Sequence, residues 1–272
     1  MELRHHTLQV LGLDDPATKA AAARALWTAA GAADVAPALD CAAILGPPSA
    51  LPGRPARPRL VAASSLPRRS PFTVAGRAGL LHSVAHIEFN AINLALDAVW
   101  RFPGMPTAYY LDWLRVASEE ALHFTLLAEH LASLGHAYGD FDAHDGLWAM
   151  TERTAGDITA RMALVPRTLE ARGLDATPQI QDKLRKVGTP AAQRAVEILG
   201  IILRDEIGHV AIGNRWYHWL CERDGLDPVA QYRVLAERHD APRLYPPFND
   251  AARRQAGFSD EELRLMLVSP AA

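Results

Sequence analysis

Two Glu-x-x-His pairs, Glu120 with His123 and Glu206 with His209, stand in stretches whose other residues at helical spacing are apolar. Positions three apart share a helix face, so each pair would present a carboxylate and an imidazole side by side. The stripe through Glu120 is Tyr109, Trp113, Val116, His123, Phe124, Leu127 and Leu131; that through Glu206 is Ala195, Leu199, Ile202, His209, Val210, Gly213 and Tyr217. Glu88 occupies a third stripe, among Leu81, Val84, Ala85, Ala91, Ile92, Ala95 and Val99, with His82, His86, Asn93 and Asp97 on the opposite side. Glu119 falls instead beside Arg115 and reads as a solvent-facing acid. An unpaired carboxylate in an apolar core costs several kcal/mol, and its usual escape is protonation or a partner. Three helices that each bury one, two of them with a histidine, therefore point to cations between them. A lone Glu-x-x-His is ordinarily a surface ion pair; two of them, each centred in an apolar stripe on its own helix, are a far more specific signal.

One glutamate from each of two helices plus Glu-x-x-His from each of two others is the ligand pattern of di-iron and di-manganese carboxylate bundles. The fourth acid is expected from the third long helix. Glu170, beside Thr159, Ala163 and Pro166, is the leading candidate; Glu152 on the same face competes with it and Asp157 is weaker. Pro166 should kink the helix just before Glu170 and help to aim it. Four carboxylates would balance the charge of two divalent ions, with the imidazoles binding neutral. Oxygen-rich ligation with two imidazoles favours iron over copper, with manganese or a mixed Mn/Fe pair as alternatives, and without thiolates structural zinc is disfavoured. Asp97 and Asp205 are candidate partners to the ligand imidazoles, a role such sites usually need.

The elements that must carry these residues are four long helices, at about 75–102, 106–134, 146–172 and 190–223. Gly104, Gly135, Gly173 and Gly225 serve as stops, and Pro106 and Pro190 as starts. The short link after the first makes it an antiparallel neighbour of the second, and the connection 136–145 is long enough to run the length of a bundle. Asp14-Asp15-Pro16 starts a shorter Ala-rich helix to about Ala30. From Gly46 to Pro71 come seven prolines and five arginines, among them Pro48 and Arg68, so this stretch is an extended arm rather than a helix or a central strand. Residues 226–272 read as short helices, one starting at Ser259-Asp260-Glu261-Glu262. The expected class is thus all-α. A ferritin-like four-helix bundle over 75–225 is preceded by a helical and extended arm (1–74) and followed by a helical tail (226–272) packed on it.

The 272 residues are 49% hydrophobic with a formal net charge of −3, ample for a core and without the global positive field of a nucleic-acid binder. Cys41 and Cys221 lie far apart with no CxxC, which argues against a disulfide framework, a zinc ribbon or a rubredoxin-type site. The polar start, with His5 and His6, lacks a signal-peptide core, and no apolar run approaches membrane-spanning length, so a cytoplasmic protein is expected.

HSVAHIEFNAINLALD at 82–97, HDGLW at 144–148, LEARGLD at 169–175, RDEIGHVAIGNRW at 204–216 and PPFNDAARRQAGF at 246–258 resemble the ferritin-like family labelled domain of unknown function four-fifty-five, over nearly the whole chain. That resemblance implies a ferritin-like fold and a di-metal site without an established substrate. The LEAR segment is also similar to the IEAR segment of the di-iron tRNA-modifying hydroxylases, where the glutamate is a ligand; the likeness carries onto Glu170 and favours it over Glu152. The rest of that family's pattern is missing, and the lack of CxxC pairs separates the chain from rubrerythrins.

The function expected from this set is that of a non-haem di-metal oxidase or oxygenase. Its partners would be dioxygen or peroxide, a small-molecule substrate of unknown identity and an external electron donor, with a homodimer left open as its assembly. A ferroxidase or other iron-handling protein would use the same ligands, and a metal-free ferritin-like scaffold is the third reading. Tyr109, Trp113 and Tyr217 are expected as core, His82 and His86 as hydrogen-bonding groups for a neighbouring segment, and Arg161, Arg167 and Arg172 in solvent or structural pairs rather than as an anion site.

Overall fold

The computed structural model describes residues 2–31, 38–47, 50–67 and 69–267. Pro48 and Arg68 of the arm and residues 268–272 of the tail lie outside the described residues. The chain is all-α: among the described residues the only β pairing is an isolated parallel bridge between Leu60 and Ala143. Packing divides the chain into two compact units, Met1–Trp148 with Leu184–Ile198, and Ala149–Lys183 with Leu199–Ala272.

In the first unit, α1 (Leu3–Leu11), α2 (Pro16–Ala30), α3 (Val74–Arg101) and α4 (Thr107–Ser133) form a helical bundle. α1 was not foreseen. Its sequence, LRHHTLQVL, reads as polar, yet Leu3, Leu8, Val10 and Leu11 all turn inward. α2 starts as expected, with Asp15 accepting from the Thr18 amide at 2.8 Å and Pro16 in the first turn. α3 and α4 follow the expected bounds to within a residue and pack together across a link of only Phe102–Pro106, which forces them antiparallel. α2 lies against α4, and α1 against α3. The arm is extended apart from one 3₁₀ turn at Ala63–Ser65. It is pinned to the connection after α4 by the Leu60–Ala143 bridge, by Arg59 on Asp142 and by Arg54 on Asp145 at 2.9 Å.

In the second unit the third expected helix is not one helix. α5 (Gly146–Arg153) ends at a turn, and Asp157 caps α6 (Ile158–Leu164) by accepting from the Ala160 amide at 2.9 Å. A π-helical segment, Val165–Glu170, holds Pro166 and leads into α7 (Ala171–Val187). The expected stop at Gly173 is corrected: the helix runs on to Val187 and is ended by Gly188, which has φ +71°. Glycine ends a helix where it adopts the left-handed region; with a right-handed backbone it costs only about 1 kcal/mol relative to alanine. The fourth long helix, α8 (Pro190–Arg223), has the expected bounds and belongs to this unit from Leu199 on. α9 (Pro228–Arg238), α10 (Asp250–Gln255) and α11 (Asp260–Leu267) complete the chain. Ser259 and Glu262 form the capping box expected at the start of α11, the Ser259 amide donating to Glu262 at 2.8 Å. Ala252, Ala256, Phe258 and Leu263 close a core with Ala171, Leu174 and Val210. No described helix is long and apolar enough to cross a membrane.

Candidate metal centre

In the first unit α3 supplies Glu88, and α4 supplies Glu120 and His123 from successive turns of one face. Glu88 is 3% exposed and the other two not at all. The Nδ1 of His123 lies 3.2 Å from Glu88 Oε2 and 3.3 Å from Glu120 Oε2, and the ligand atoms of the three lie within 4.8 Å of one another. Two carboxylates held this close in a buried site repel each other when both are ionised. A divalent cation would offset that repulsion, and two oxygens with one nitrogen are a donor set that iron and manganese accept. The residues therefore fit a metal ion. Their surroundings are dry: Tyr109, Trp113, Val116, Leu127 and Leu131 of the same α4 stripe are fully buried, as expected for core.

In the second unit α8 carries Glu206 and His209, 7% and 0% exposed, with His209 Nδ1 3.8 Å from Glu206 Oε1. The sequence spacing and the ring nitrogen turned to the carboxylate are those of the α4 pair, at a longer separation. Glu170, the last residue of the π-helical segment, is buried as well, whereas Glu152 is exposed on α5 and Asp157 serves as a helix cap. Pro166 has no N–H to give to the helix ladder, and the wider π turn accommodates it. Thr168 Oγ1 donates to the Ala163 carbonyl at 2.7 Å within that turn. Gly213 of α8 lets Pro166 approach: a Cβ there would stand 2.6 and 2.7 Å from the proline ring.

The remaining residues singled out from the sequence have these partners. Asp97 is fully buried and takes a bidentate pair from Arg101, shortest at 2.7 Å; Asp205 pairs with Arg204 at 2.8 Å. Glu119 meets Arg115 at 2.9 Å, on the outer side of α4. His82 accepts from the Gly139 amide at 2.9 Å, and His86 meets the Tyr138 hydroxyl at 2.9 Å and the His144 carbonyl at 3.2 Å. Both histidines thus anchor the segment after α4, and burial pushes each down to about 4. Arg161 is buried on Thr151 and Thr154, Arg167 on Asn214 and Glu262, and Arg172 is exposed. The Arg167 guanidinium also lies over Tyr217 and Phe258, 5.0 and 4.7 Å from the ring centroids, so it is committed to structure.

Sequence reasoning missed several buried basic residues, among them Arg4, Lys19 and Arg253. Only their partners in space reveal them: backbone carbonyls for Arg4, Asn93 for Lys19, and Asp175 at 2.6 Å for Arg253.

A family model described as Protein of unknown function (DUF455) matches residues 13–264. An "Uncharacterized protein" of Haemophilus influenzae is 53% identical over 220 residues, covering 77% of this chain and 74% of its own length. No solved structure matches. With a model match from one end of the helical core to the other and a relative this similar, the chain belongs to the DUF455 family.

Proposed function

We propose that Glu88, Glu120, His123, Glu170, Glu206 and His209 together hold two metal ions, in the ligand pattern of the di-iron carboxylate bundles, and that the protein is an oxygen-activating oxidase or oxygenase acting on a small molecule. The observation that carries this reading is the buried cluster of Glu88, Glu120 and His123, two acids and an imidazole within 4.8 Å in an otherwise apolar core. The second Glu-x-x-His pair, also buried though more widely spaced, and the buried Glu170 supply the other half of the set. Iron is the first choice of metal, with manganese or a mixed pair as the alternative. When bound, such ions would supply electrons to dioxygen or peroxide, to be replenished by an external donor. The chain's own contribution is to offset the metal charge with four carboxylates, to fix the two imidazoles through their helices, and to keep bulk water out with the aromatic and aliphatic residues of the α4 stripe.

The test is elemental analysis of protein purified without chelators or a metal-binding tag, beside Glu120→Ala and Glu206→Ala. About two equivalents of iron or manganese per chain are expected in the parent, lost in both variants with helix content unchanged by circular dichroism. Full metal retention in both would remove the ligand assignment. Oxygen uptake by the reduced, iron-loaded parent, absent in Glu120→Ala, is the matching activity readout.

A further inference from the structure

On the side of α3 turned away from Glu88, a cavity separates the helix from the arm, lined among others by Arg54, Pro55, Pro58, His86, Asn93 and Tyr138. It has about 30 Å³ for the centres of water-sized groups. One water needs about 10–15 Å³ by that measure, so there is room for a group of two to four heavy atoms but not for a nucleotide or a sugar. Leu60, at its rim, is exposed, so the cavity can be reached from solvent.

Its polar lining is the Arg54 guanidinium, the amides of Asn90 and Asn93, the His86 ring and the Tyr138 hydroxyl. Asn93 is 1% exposed, and its Nδ2 has no acceptor among the described residues. Lys19 Nζ donates to its Oδ1 and to the Gly53 carbonyl, each at 2.7 Å. Arg54 spends one terminal nitrogen on Asp145 at 2.9 Å and keeps the rest of its fork. No acidic side chain lines the cavity among the described residues. A buried amide N–H left without an acceptor costs about 1–3 kcal/mol, so this wall is complete only with an acceptor in the cavity. The Arg54 guanidinium in its lining favours a negative one. Lys19, behind Asn93, is fully buried and pushed down to about 7 by burial and by the nearby Arg54, with Asp14 acting against the shift.

We propose that this cavity is a binding site for a small oxyanion of the carboxylate or carbonate class, received by the Asn93 amide and the free N–H groups of Arg54. The site is built from α3, the arm and Tyr138 of the connection after α4, so occupancy would tie the arm to the bundle at the point where Pro55 and Pro58 meet α3. It is independent of the metal ligands, none of which lines it.

The experiment is calorimetric titration of the full chain with formate, acetate and bicarbonate in turn, at constant ionic strength held with a weakly coordinating salt. At least one should bind saturably. Preference for formate or acetate would mark a carboxylate site, and preference for bicarbonate a carbonate site. Arg54→Gln and Asn93→Leu should each weaken that binding about tenfold or more. Arg59→Gln, which alters an exposed arginine of the same arm, should leave it unchanged, as should Glu120→Ala, which disables the metal centre. No saturable binding of any of the three, undiminished affinity in Arg54→Gln, or loss of binding in Glu120→Ala would each overturn the proposal. Arg54 lies on the arm and is only partly buried, so its variant decides the question even if Asn93→Leu does not fold.

Discussion

The guanidinium of Arg4 donates to the carbonyls of Val99 and Trp100, at 3.2 and 2.7 Å, and to those of Asp40 and Ala43 at 3.0 and 2.8 Å. The first two belong to the last turn of α3, whose carbonyls have no partner within the helix. One side chain from α1 therefore caps the helix that carries Glu88. Arg4→Met keeps the packing volume but leaves these carbonyls without a donor; a loss of about 2–4 kcal/mol is expected, measured by urea unfolding. Glu120 behaves in the opposite sense. In metal-free protein its carboxylate stands beside Glu88 and the same imidazole, so Glu120→Gln relieves repulsion while keeping shape. Metal-free Glu120→Gln should melt no lower than the metal-free parent, yet fail to gain the upward shift that iron or manganese gives the parent. A drop in its metal-free melting temperature would mean that Glu120 is structural.

Helix breaks in the second unit have local causes that single substitutions can probe. The π-helical turn around Pro166 fits because Gly213 of α8 presents no side chain to the proline ring. Gly213→Ala must push the two backbones apart and should destabilise by about 1–3 kcal/mol, read as a lower urea midpoint, despite alanine's better helix propensity. A gain in stability would show that the approach is looser than the structure has it. The cap of α6 is simpler: Asp157→Ala should cost about 1 kcal/mol. The Ser259–Glu262 box shows the same logic read correctly from sequence, because a capping box depends on residues three apart and on nothing distant.

Across the molecule, buried titratable groups tie stability to pH on both sides of neutrality. Lys19 is pushed from its ordinary 10.5 to about 7, chiefly by burial and further by Arg54, while Asp14 acts against the shift. Between those values the unfolded chain keeps a proton that the folded one has released, so Lys19 makes stability rise with pH through that window. The stability gained on replacing Lys19 by Met should therefore be larger at pH 7 than at pH 9 in urea unfolding; an equal difference at both would show the amine charged in the folded protein. His82 works on the acid side. Burial holds it near 4 against an ordinary 6.5, so the unfolded chain protonates first as pH falls and the native state loses stability from about 6.5 down to 4. His82→Gln should flatten that part of the profile.

What the sequence determined by itself is what depends on local spacing. Three carboxylates in apolar stripes must be buried, Glu-x-x-His must share a face, and the proline-rich arm must be extended; the helices carrying Glu88, Glu120 and Glu206 are fixed by runs of apolar residues and their stops. What only the tertiary structure decided depends on partners far along the chain. The polar-looking α1 is a helix because its four apolar residues find a neighbour in α3; Gly173 continues a helix because nothing there demands a left-handed turn; and His82, His86, Asn93 and Lys19 are buried because the arm and the Gly139–His144 segment cover them. Periodicity records which face of a helix avoids water. It does not record which distant polar group will satisfy a buried one, because hydrogen bonds between segments leave no trace in the spacing of either segment.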